Sequence, residues 1–112
     1  MTDVLIVQTT TPTVDEAEKI AEVLLDQKLA ACIQIHGPVT SHYVWQGIRE
    51  RSTEWVCCIK TTSAAYAQVE KVIRTGHTYD EPEIIACPVT HGSAGYLKWL
   101  SESVASATNS SS

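Results

Sequence analysis

Val39-Thr40-Ser41-His42-Tyr43-Val44-Trp45-Gln46-Gly47-Ile48-Arg49-Glu50-Arg51-Ser52-Thr53-Glu54-Trp55-Val56-Cys57-Cys58-Ile59-Lys60-Thr61 is the stretch whose reading decides the fold. Residues 39–45 are rich in β-branched and aromatic side chains, and Gln46-Gly47-Ile48 reads as a hairpin tip. The returning strand, from about Glu50 to Thr61, exceeds the usual length of about 5–6 residues. A hairpin of that length projects beyond any helix layer and needs another surface to cover it, which a second subunit can supply. Trp45 and Trp55 are large side chains suited to such a buried contact.

Upstream of the hairpin, Val4-Leu5-Ile6-Val7 is a continuous apolar run expected at the centre of a sheet. Pro12 then blocks an earlier helix start, and Thr13-Val14-Asp15-Glu16 has the form of a capping box, with Thr13 accepting from an orphan amide and Glu16 reaching back. Ala17, Ile20, Ala21, Leu24 and Leu25 recur at three- and four-residue intervals, a stripe about 100° wide that packs on a sheet. Asp15, Glu16, Glu18, Lys19 and Asp26 form its solvated side. Leu29 to Ile35 resumes the strand pattern until Gly37-Pro38 punctuates it.

Downstream, Thr62 or Ser63 is placed to cap a second helix, with Tyr66, Val69, Val72 and Ile73 facing inward and Gly76 ending it. Ile84 to Val89 is the last core strand. After Gly92, Tyr96, Leu97, Trp99, Leu100 and Val104 mark a short amphipathic helix. The order strand, helix, strand, strand, helix, strand defines an α+β fold: a ferredoxin-like βαββαβ antiparallel sheet with helices on one face, a long hairpin between the second and third strands, and an extra C-terminal helix that can cover an edge. One domain spans residues 1–105, and the Ser-rich tail 106–112 is expected to be disordered.

A chain of 112 residues with 44% hydrophobic content builds one core. At this size, burial by a lone monomer is modest and self-association helps. Thirteen acidic against 8 basic residues give a net charge of −5 with no Lys/Arg cluster, so a nucleic-acid partner is not expected. No basic leader or stretch of about 20 apolar residues is present, which predicts a soluble, cytoplasmic protein without membrane contact. Cys32, Cys57, Cys58 and Cys87 form no Cys-x-x-Cys pair. Reduced thiols in strands explain them, with adjacent Cys57 and Cys58 on opposite faces.

His77-Thr78-Tyr79-Asp80-Glu81-Pro82-Glu83-Ile84 gathers imidazole, phenol and carboxylates before the last strand. Glu54 and Lys60, six residues apart on one strand, share a face. In an assembly, Tyr43, Trp45, Glu54, Lys60, Tyr79 and Glu83 can converge on a pocket between subunits. There Lys60 would hold a carboxylate or phosphate, His77 would move a proton, and Tyr79 would orient the ligand. The structural alternative pairs Glu54 with Lys60 across subunits and packs Tyr79 and Tyr96 as aromatics with bonded hydroxyls. His36, His42 and His91 are isolated. No nucleophile with an adjacent base is found, so no catalytic residue is assigned.

Thr10-Thr11-Pro12, Lys28-Leu29-Ala30-Ala31-Cys32, Ser41, Tyr43, Trp45, Gly47, Glu54, Lys60-Thr61, Tyr79, Pro82-Glu83-Ile84, Pro88-Val89 and Tyr96-Leu97-Lys98-Trp99-Leu100, in that order, closely resemble the CutA family of divalent-cation tolerance proteins. The resemblance implies a ferredoxin-like protomer in a cytoplasmic homotrimer whose long hairpins complete intersubunit sheets. It also implies a role in tolerance of divalent metals, with copper bound by some members, and no established reaction. Metal-binding members carry a cysteine where this chain has Thr9, and two histidines followed by proline where it has Gly76-His77-Thr78. His77 is therefore the metal-ligand candidate, and Cu or another divalent cation the candidate cofactor. The fold also resembles that of the trimeric nitrogen-regulatory signal proteins, which suggests a small-molecule sensor as the alternative. The chain lacks a G-x-x-x-x-G-K phosphate loop.

Overall fold

The computed structural model describes residues 2–105, and the expected tail at 106–112 lies outside them. Strand β1 (Val4–Thr11) leads into helix α1 (Val14–Asp26), followed by strands β2 (Cys32–Trp45) and β3 (Ile48–Thr62). A short 3₁₀ turn (Ser63–Ala65) precedes helix α2 (Tyr66–Gly76), strand β4 (Ile85–Pro88) and helix α3 (Ala94–Ser103). The sheet is antiparallel throughout in the order β2-β3-β1-β4, so the apolar run at Val4 does lie inside the sheet. This is the split βαβ arrangement read from the sequence.

Alternation along the strands sorts side chains onto two faces. Val7, Thr9 and Thr11 of β1 stand opposite Ile59, Cys57 and Trp55 of β3 in register, and of these only Trp55 is not fully buried. Val7, Cys57 and Ile59 belong to the core with Ile20 and Leu24 of α1 and Val69 and Ile73 of α2. The other face carries Gln8, Thr10, Val56, Cys58 and Lys60. Cys57 and Cys58 thus diverge as expected: Cys57 is buried and Cys58 half-buried.

The hairpin turns at Gln46 and Gly47, whose φ values of 51° and 81° are the positive pair of a type I′ turn, and Trp45 pairs with Ile48. Gly37-Pro38 does not break β2. It makes a bulge between His36 and Val39, after which pairing with β3 resumes at Glu54. Gly37 sits at φ 154°, and a Cβ there would lie 3.0 Å from the Glu54 carbonyl oxygen and from the Trp55 ring. The bulge therefore needs glycine and holds Trp55 beneath it.

Helix ends differ in detail from expectation. Thr13 caps α1 by accepting from the Glu16 amide at 3.2 Å, but the reciprocal half of the capping box is not formed. The Glu16 carboxylate instead accepts from the Thr78 amide at 3.3 Å, which ties the start of α1 to the loop before β4. Thr62 makes no side-chain cap, because the 3₁₀ turn intervenes before α2. Helix α3 packs on the two middle strands, β3 and β1, rather than on an edge. Its Tyr96 hydroxyl accepts from Lys60 Nζ at 3.2 Å, so this contact lies on the face opposite α1 and α2.

Candidate functional site

Residues 77–84 between α2 and β4 wrap the end of β1 and are pinned at their start. The His77 side chain is fully buried. Its Nε2–H donates to the Thr10 carbonyl at 2.5 Å, while Nδ1 accepts from the Tyr79 amide at 3.1 Å. Those two bonds specify the Nε2-protonated tautomer. Glu16 Oε2 stands 3.5 Å from the same Nδ1. Farther along, Pro82 is buried.

With its start fixed, the loop sends Tyr79 across the sheet. The Tyr79 ring lies against His77 at 4.8 Å between centroids, and its hydroxyl donates to Glu54 Oε2 at 3.1 Å. Glu54 is only 7% exposed although it stands on the face without α1 and α2. Burial, and after it the charge of Glu54, push the Tyr79 phenol up to about 12. A carboxylate held by a phenol with a raised pKa is a stable acceptor, not a proton-transfer pair.

Beside this contact opens a cleft of ≈ 690 Å³ between the hairpin and the loop, bounded by Thr10, Ser41, Tyr43, Trp45, Glu54 and Tyr79 among others. Of the six residues expected at a pocket between subunits, Tyr43, Trp45, Glu54, Tyr79 and Glu83 line this cleft within one chain. Lys60 does not: it sits six residues down β3 with its ammonium over the Tyr96 ring, 5.4 Å from the centroid. Within the chain Glu54 and Lys60 thus have different partners. Sequence reasoning missed Glu50, Asp80 and Glu81 in the lining. Counting outward from the Gln46-Gly47 turn finds Glu50, because the register sets it opposite Tyr43. No sequence signal marked Glu16 as the anchor of the loop.

These residues do not fit a preassembled copper centre. A metal takes a lone pair from neutral imidazole, and in His77 one nitrogen carries the donated proton while the other already accepts an amide. Thr9 faces the core, its hydroxyl buried without a hydrogen-bond partner among the described residues, and supplies no thiolate. Nor does any group of three or more His, Cys, Asp or Glu among the described residues have the spacing to hold a metal ion.

Residues 5–103 match the family described as CutA1 divalent ion tolerance protein. The divalent-cation tolerance protein CutA of Archaeoglobus fulgidus is 40% identical over 95 residues, covering 85% of this chain and 92% of the relative. The solved structure of the divalent cation tolerance protein from Thermus thermophilus superposes with a TM-score of 0.89 at 35% identity, covering 91% of this chain and 99% of that one. CutA1 from a psychrotrophic Shewanella bacterium gives a TM-score of 0.90 at 37% identity, covering 94% and 98%. This ferredoxin-like chain with a long hairpin and a carboxylate-lined cleft, matched over residues 5–103, belongs to the CutA1 divalent ion tolerance family.

Proposed function

We propose that this protein acts as a homotrimeric divalent-cation tolerance protein of the cytoplasm, with the cleft between hairpin and loop as its ligand site. The observation that carries the assembly is the hairpin tip: Val44 is 66% exposed, Trp45 50% and Ile48 63%, and Ile85 on edge strand β4 is 52% exposed. Apolar side chains grouped on a projecting hairpin are covered by protein in the working state. A ring of three copies, each hairpin lying on its neighbour, accounts for them. Four free cysteines suit a reducing compartment. No described helix is long and apolar enough to cross a membrane.

The metal side of the reading turns on His77, the imidazole behind the cleft. Ligation there requires the ring to release the Tyr79 amide. Calorimetry with Cu(II) and Zn(II), with a chelator control, on the wild type and on His77→Ala tests this. Weaker binding in the variant assigns the ligand, and unchanged affinity removes it.

A second reading, a trimeric ligand sensor, is favoured by one observation: side chains from β1, the hairpin and the loop bound one cavity of a size that suits a small molecule. A thermal-shift screen of small acids, amines and nucleotides tests it, because a ligand specific to the folded state raises apparent stability. Failure of every compound to move the transition would leave the assembly without a small-molecule role.

A further inference from the structure

We propose that the cleft takes an organic ammonium ion, a cation carrying carbon substituents, as its ligand; this rests on the cleft being a binding site and names the chemistry it selects. Among the described residues the lining holds the carboxylates of Glu50, Glu54, Asp80, Glu81 and Glu83, one imidazole, that of His42, and no lysine or arginine. Arg49 and Arg51 alternate with Glu50 along β3 and so project from the other face of the hairpin. Two of the acids are already engaged, Glu81 with Arg74 at 3.7 Å and Glu83 with the Gln8 amide at 2.9 Å. Glu50 and Asp80 have no protein partner among the described residues.

Glu54 points most directly to a ligand. It is more than nine-tenths buried, it lines the cleft, and its one partner among the described residues is the neutral Tyr79 hydroxyl on Oε2. Oε1 has no donor among the described residues and is not sealed from the cleft. A buried carboxylate without a counter-charge is costly, and a cationic occupant supplies both the charge and the missing N–H.

The aromatic walls decide which cation. Tyr43, Trp45 and Tyr79 line the same space. Their faces attract weakly hydrated cations with carbon surface, whereas hard divalent ions demand oxygen ligands and retained water. The cleft is also far larger than a single ion needs. An ammonium group donating to Glu54, its alkyl arms against Tyr43 and Tyr79, uses all three features.

Calorimetry on the full chain at neutral pH with triethylamine and diaminobutane, both protonated there and able to donate an N–H, at matched ionic strength and with sodium acetate and magnesium as controls, tests the proposal. Expected is saturable binding of at least one amine, weakened about tenfold or more by Glu54→Gln and about threefold by Tyr43→Leu. Glu54→Gln keeps an acceptor for Tyr79, and Tyr43→Leu alters a half-exposed side chain, so a folding defect in the first leaves the second decisive. No saturable heat with either amine overturns the proposal. So does acetate binding as tightly, or magnesium displacing the amine while Tyr43→Leu has no effect. The mass of the same sample separates the two readings: amine binding by a non-trimeric protein supports this proposal and overturns only the assembly, whereas a trimer that binds no amine overturns this proposal alone.

Discussion

The Tyr79 hydroxyl and the Glu54 carboxylate meet at 3.1 Å, joining positions 25 residues apart and closing the loop before β4 onto the middle of the sheet. The contact forms because the start of the loop is held on both sides, by the Thr10 carbonyl at His77 and by Glu16 at the Thr78 amide. Its chemistry is measurable at alkaline pH. Burial and the Glu54 charge raise the Tyr79 phenol from its ordinary value of 10.0 to about 12. Between those values the unfolded chain has lost a proton that the folded chain retains, so stability falls as pH rises through that window. Ultraviolet titration will show a tyrosine ionising near the top of the window. In Tyr79→Phe that step disappears, and stability at neutral pH drops by about 2 kcal/mol through loss of a hydrogen bond to a charged group.

Gly37 sets the bulge that carries β2 past Glu54. Gly37→Ala places a methyl group 3.0 Å from the Glu54 carbonyl and the Trp55 ring, at a φ of 154°. A loss of about 1–3 kcal/mol by denaturant titration is expected, together with a shift in tryptophan emission as Trp55 is displaced. Unchanged stability would show that the bulge tolerates a side chain.

Thr9 buries a hydroxyl that has no partner among the described residues. Thr9→Val keeps the shape and removes the unsatisfied polar atom, so unfolding free energy should rise by about 1 kcal/mol. A fall on substitution would show that the hydroxyl is satisfied inside the core, for example by a buried water.

The elements were legible because their periodicities are strong. The Ala17, Ile20, Ala21, Leu24 and Leu25 stripe, of which Leu25 turns out exposed, the apolar run at Val4 and the Gln46-Gly47 turn each point to one structure, and the antiparallel sheet follows from their order. The cleft was legible through residue type, since Tyr43, Trp45, Glu54, Tyr79 and Glu83 stand out as aromatic or acidic groups near a turn or a strand. What failed was pairing. Glu16 reads as half of a capping box from local spacing, yet a carboxylate can serve a distant amide as readily as a nearby one, and only the folded chain shows that it bonds Thr78. Lys60 shares a strand face with Glu54, but α3 brings Tyr96 to it from 36 residues away. Long-range partners of flexible polar side chains are set by topology, which no window of sequence contains.

The central claim is that the exposed hairpin and the cleft beside it work within a ring of three copies. Light scattering on the full chain at low micromolar concentration tests it most directly. A mass three times the 12.2 kDa of the chain is predicted. Trp45→Asp, which puts a charge on the half-exposed hairpin tip, should shift that mass toward the single chain. A folded wild-type protein with the mass of one chain would contradict the account.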